Sequence, residues 1–208
     1  MSSPIASTGA RATVAFGFAA LAFGLCYDIT QILDVLGAFR TPWGLFAVVL
    51  PSIFLAWSYV ALISVLHSGS DETAKPWTQL ALTFAIIYAG LNSIVYPVQL
   101  AVVVPQALAG GEGLSSQFAL AGGRPLTAVN AVAYALMSLS AFFLSFSYSR
   151  KEGRGFARIA LIVHGALAPI ILAILYIPAL LPLGGLWIVT FPLAMIAVLR
   201  RARGEAKG

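Results

Sequence analysis

Charge is what this sequence has least of: Asp, Glu, Lys and Arg together make up 9% of its 208 residues, where a soluble domain carries about a quarter. That scarcity excludes an ordinary soluble globule. Cysteine is nearly absent too, and the single Cys26 removes disulfide relays, cysteine-rich metal centres and iron–sulfur clusters from consideration. Histidine occurs only as His67 and His164, so the ligands of a zinc or di-iron membrane enzyme cannot be assembled. No Lys stands inside an apolar run, which excludes a retinal-type Schiff base, and no glycine loop ends in the Gly-Lys pair that cradles phosphate. Ser138 and Ser140 lack the glycine-flanked setting and nearby imidazole of an intramembrane serine protease. No catalytic residue, metal or cofactor is therefore expected, and an enzyme ranks last among the function classes.

What the sequence has is apolar length. It is 60% hydrophobic with a mean hydropathy of +0.94, and its charges cluster between runs long enough to span hydrocarbon. The runs predict an all-α integral membrane protein, one transmembrane domain of six helices at about 12–36, 43–66, 77–104, 127–148, 159–181 and 184–199, with a long loop at 105–126. That loop, rich in Gly, Ala and Ser, is a candidate lid. Ala20-Leu-Ala22 imitates a signal-peptide cleavage site, yet one preceding Arg and an apolar stretch that continues beyond it favour a membrane span. Pro97 is expected to kink the third helix near its far end.

The basic residues give an orientation. Arg11, Lys75, Arg150, Lys151, Arg154, Arg158, Arg200, Arg201, Arg203 and Lys207 fall on one side of six crossings, and only Arg40 and Arg124 on the other. The positive-inside rule then puts both termini in the cytoplasm and the long loop outside, in a multi-pass protein of a cell inner membrane. A net charge of +5 is explained by topology without nucleic acid. Anionic lipids at the basic loops are a secondary partner beside the bilayer itself. Trp43, Trp77, Tyr148, Tyr176 and Trp187 fall near span ends, as interfacial rings do.

One stretch is polar in a patterned way. Tyr88, Asn92, Tyr96 and Gln99 recur at steps of four, four and three, one stripe of a helix, which must face protein or water because lipid cannot satisfy an amide. At about 1.5 Å of rise per residue, Asp28 on the first helix, Asn92 on the third and Asn130 and Tyr134 on the fourth reach one layer in the outer third of the membrane. Gln31 and Tyr96 lie slightly above it. An aspartate at such depth must be protonated, paired or next to a hydrated space; Asn92 or Tyr134 are the available donors within the helices, and Arg40 and Arg124 of the outer loops could fold down over it. Asp28, Gln31, Asn92, Tyr96, Asn130 and Tyr134 thus form a candidate ligand- or ion-binding set, the competing reading being a hydrogen-bonded layer that holds helices together. His164, placed about 8 Å from the cytoplasmic edge, reads as a packed neutral imidazole away from that layer.

Leu82-Thr-Phe-Ala-Ile-Ile-Tyr88, Asn92-Ser-Ile-Val-Tyr96-Pro-Val-Gln99-Leu and Ala131-Val-Ala-Tyr134-Ala-Leu-Met137 resemble a family of small bacterial and archaeal polytopic membrane proteins without assigned function. The resemblance implies a bacterial inner-membrane protein and supplies no activity; in those relatives an Asp would stand where this chain has Asn130. Two functions remain on the residues alone. The first is a transporter or channel-like protein for a small solute or cation, using an outward-facing pocket around Asp28. The alternative is a non-catalytic partner subunit or lipid-binding module whose polar layer is structural. Ligand identity and oligomeric state stay open.

Overall fold

The computed structural model describes residues 4–40, 42–110, 115–148 and 155–205. Helices α1 (Pro4–Val35) and α2 (Trp43–Ser68) are the first two crossings. The third is α3 (Lys75–Val98), a π-helical turn at Gln99–Val103 and α4 (Val104–Leu108). A short α5 (Ser115–Phe118) lies in the long loop, and α6 (Pro125–Ser145) is the fourth crossing. α7 (Gly155–Gly165) and α8 (Leu167–Ile174) make the fifth; α9 (Leu181–Gly184) and α10 (Trp187–Glu205) make the sixth. Six helical segments are long and apolar enough to cross a membrane, and no strand occurs among the described residues.

Each crossing packs on the one before it, and α10 closes the ring against α1. Small residues permit that closure. Gly17 lies under Leu199, whose Cδ2 would stand 2.9 Å from an added Cβ, and seven residues later Gly24 lies against the ring of Phe191. Ala20, fully buried, sits between them. Where lipid surrounds a bundle, dispersion between close backbones is a main source of helix association, and small residues allow it. Phe18, Ile29, Trp57, Ile86, Ile94 and Ile159 are exposed on the outside, as expected where the surrounding solvent is hydrocarbon.

Three segments depart from the spans expected from the apolar runs. The third crossing continues to Leu108, because Pro97 and Pro105 remove two backbone donors and the chain relaxes into a π turn in which the Val104 N–H donates to the Gln99 carbonyl. The fifth ends at Ile174 and the sixth begins at Pro178, whereas the unbroken apolar sequence had put the boundary near 181 to 184. Proline disfavours helix at the residue before it, and Ile177 accordingly leaves the helical region at φ −128°, ψ 80°. The fifth crossing is also broken at Ala166, one residue after the Gly165 carbonyl that Pro169 cannot engage. Of the expected interfacial rings, Tyr148 and Trp187 are buried, at 3% and 5% exposure. The residues of Ala20-Leu-Ala22 lie well inside α1.

Replacing Gly24 by Val forces Phe191 off its seat. We expect a loss of about 1–3 kcal/mol, seen as a lower melting midpoint in detergent, while Gly9→Val, with nothing within 4 Å of its added carbon, leaves the midpoint unchanged.

Candidate functional site

The interior is organised by aromatic rings, and every crossing supplies one. Tyr59 of α2 meets Tyr88 of α3 edge-on at 6.0 Å, Tyr88 meets Tyr134 of α6 at 5.9 Å, and Tyr134 meets Trp187 of α10 at 5.3 Å. Trp187 stacks on Phe191 at 4.7 Å and Phe191 returns to Tyr59 at 6.2 Å, which closes a circuit. Tyr27 of α1 joins it through Tyr134 at 5.9 Å and Trp187 at 5.4 Å. His164 of α7 joins through Trp187 at 6.0 Å and Phe191 at 5.6 Å. Offset and edge-on rings at such separations attract beyond their area burial.

Polar atoms are threaded through this cluster, and some are paired. The Tyr96 hydroxyl donates to that of Tyr134 at 2.9 Å. Tyr59 donates to Ser140 at 3.1 Å, which donates on to the Ala81 carbonyl at 2.7 Å. His164 Nδ1 is 3.0 Å from the Thr190 hydroxyl. Others are buried without a hydrogen-bond partner: both carboxylate oxygens of Asp28, the Tyr88 hydroxyl, both amide atoms of Asn92, Asn130 Oδ1, the Ser138 hydroxyl, His164 Nε2 and Trp187 Nε1. Buried polar groups without partners are rare in folded proteins and ask for an explanation.

The register of α1 against α10 locates Asp28. Gly24 touches Phe191; one turn further along each antiparallel helix come Asp28 and Trp187, so the carboxylate stands level with the indole. Asp28 is 3% exposed. Neither Asn92 nor Tyr134 donates to it, contrary to the pairing expected from depth: both carboxylate oxygens are without a partner, as is the Asn92 amide, and Tyr134 accepts from Tyr96. His164 is 1% exposed and packs against the rings of Trp187 and Phe191.

Next to this interior lies a cavity of about 730 Å³ at the long-loop end. Tyr27, Gln31, Tyr96 and Asn130 line it with polar groups, while Leu45, Val48, Val49, Val103 and Leu120 supply apolar wall. Asp34 and Arg124 also line it, and neither forms an ion pair among the described residues. Gly44 lies in contact with the Asp34 carboxylate. Three of the six residues singled out from sequence, Gln31, Tyr96 and Asn130, therefore share the cavity, whereas Asp28, Asn92 and Tyr134 are buried outside its lining. Tyr27, Trp187 and His164 were not among the six. Trp187 read as an interfacial ring and Tyr27, the chain neighbour of Asp28, carried no pattern of its own; the packing of α10 on α1 brings their rings together at 5.4 Å.

The loop is fastened over this cavity by the last residue of the stripe. Gln99 is fully buried; its Nε2 donates to the Phe118 carbonyl at 2.7 Å and its Oε1 accepts from the Leu120 N–H at 3.1 Å. The π turn begins at this same residue. Ser116, Ala119 and Leu120 consequently form part of the cavity wall, so the described part of the expected lid is held down at Gln99. No group of three or more metal-ligating side chains occurs among the described residues. No protein-family model, curated protein or solved structure matches this chain.

Gln99→Leu removes both bonds and leaves the part-buried Leu120 N–H and Phe118 carbonyl without their side-chain partner, at a cost of about 1 kcal/mol for each bond lost. The expected result is a lower melting midpoint together with faster proteolysis within 105–124. Gln99→Glu, which still accepts from Leu120, should lose less than the Leu variant.

Proposed function

We propose that this multi-pass membrane protein binds a small solute or cation in the cavity at its long-loop end and carries it into or across the membrane. The observation that supports the reading is one juxtaposition. A cavity lined by Gln31, Tyr96 and Asn130 adjoins an interior in which Asp28 is buried with both carboxylate oxygens unpartnered. Its volume is that of sites for small molecules, about 300–1,000 Å³. An ionisable group inside a membrane bundle is by default a functional candidate. The basic-residue count turns the cavity outward, and the family resemblance is compatible with a bacterial inner membrane.

A second reading has its own observation. The Tyr96–Tyr134 bond and the chain from Tyr59 through Ser140 to Ala81 join α2, α3 and α6, which is how a purely structural layer would act. In that case the protein is a partner subunit or lipid-binding module, and the cavity is incidental.

Cysteine accessibility separates the two. In a Cys26→Ser background, Gln31→Cys and Ala119→Cys are expected to react with a membrane-impermeant maleimide added to intact cells from outside, while Asn92→Cys is not. Uptake of a panel of sugars, amino acids and amines should then fall at least tenfold in Asp28→Asn with unchanged folded yield in detergent. Loss of yield with no transport defect, or absence of labelling from outside, refutes the solute-site reading.

A further inference from the structure

We infer that the solute is a small zwitterion with an apolar side chain, of the class of the aliphatic α-amino acids. The inference rests on the reading of the cavity as a solute site and narrows its chemistry. The first observation is that one carboxylate and one guanidinium, Asp34 and Arg124, line the same cavity and that neither forms an ion pair among the described residues. They are carried by elements with different packing partners, since Asp34 ends α1, which packs mainly on α2, and Arg124 precedes α6, which packs mainly on α3. A cavity that holds both signs uncombined is complementary to a ligand that holds both.

Each charge is set in ordered backbone. The Asp34 carboxylate lies against Gly44 in the first turn of α2, where the helix dipole favours an anion. The turn after it is closed by the Gly37 N–H, which donates to the Asp34 carbonyl at 2.9 Å, with Gly37 at φ 74°. On the other element, Gly123 also takes φ 74° and the Arg124 N–H donates to the Ala121 carbonyl at 3.1 Å. The Thr127 hydroxyl clasps the same turn, accepting from the Ala121 N–H at 2.9 Å and donating to its carbonyl at 2.6 Å.

The neutral lining distinguishes among ligands. Asn130 lines the cavity, and its Oδ1 is a buried acceptor without a partner, which calls for an N–H and therefore for an ammonium that carries hydrogens. Gln31, one turn before Asp34 on α1, brings a second amide to the same space. Leu45, Val48, Val49 and Val103 form an apolar wall, against which a sugar would place hydroxyls. A simple amine engages the carboxylate but shares the cavity with an uncompensated guanidinium, and a simple carboxylic acid meets the converse. The ammonium is therefore assigned to Asp34 and Asn130, the carboxylate to the Arg124 fork, and the side chain to the α2 wall.

The test is calorimetric titration of the full-length protein in detergent at neutral pH with glycine, L-alanine, L-valine and L-leucine. Leucine is expected to bind saturably, and its two truncations, 3-methylbutylammonium and 4-methylpentanoate, about tenfold or more weakly. Arg124→Gln should abolish the advantage of leucine over the amine, and Asp34→Asn its advantage over the acid. Both residues are exposed, so melting midpoints should not change; if one variant fails to fold, the selectivity of the other decides. Equal affinity of the native protein for leucine and either truncation overturns the inference, as does leucine binding that survives both substitutions. Maleimide labelling of Gln31→Cys from outside with no binding of any of the four amino acids refutes the ligand class and leaves the solute site standing. Failure of labelling removes both.

Discussion

The interaction on which the rest depends is the circuit of rings that draws a side chain from every crossing into one place. Six helices in lipid have little hydrophobic reason to associate, since the chains they would expel are as apolar as their own surfaces. Directional contacts must therefore supply cohesion, and large rings meeting edge-on or offset provide them over the greatest area per residue. Tyr59, Tyr88, Tyr134, Trp187 and Phe191 close on themselves, and Tyr27 and His164 attach from the two remaining helices. Because most of these rings carry a polar atom, the same cluster that holds the bundle together also makes its centre chemically responsive.

The circuit explains why polar groups that look extravagant in a membrane are tolerated. A hydroxyl on a ring can be paired while the ring packs, as Tyr59 and Tyr96 do, and paired groups fix the helices in register. Those left over, Asp28 and Asn92 above all, lie beside the paired ones. Structure and candidate site are thus not separate regions, and substitutions in this layer need two measurements, one of folding and one of binding.

Much of the architecture was legible in the amino-acid order because hydrocarbon imposes simple demands. Charge scarcity and run length are sufficient for six all-helical crossings. The stripe Tyr88, Asn92, Tyr96 and Gln99, inferred from spacing alone, is buried at all four positions. What stayed hidden depends on partners rather than on local pattern. Nothing in the sequence around Gln99 marks it as the tether of a loop some twenty residues onward. The end of the fifth helix was blurred because Pro178 sits within an unbroken apolar stretch. The ring contacts of Trp187 with Tyr27 and His164 were hidden for a related reason: they follow from how α10 lies on α1 and α7, which is not written in hydropathy.

The closure of α1 by α10 has a consequence for biosynthesis. The surface of α1 that bears Gly17, Gly24 and Asp28 is covered by a helix that emerges from the ribosome only after the four intervening crossings have been made. Until then α2 is the neighbour that packs along α1, and the face that carries Gly17 and Gly24 stands open to lipid.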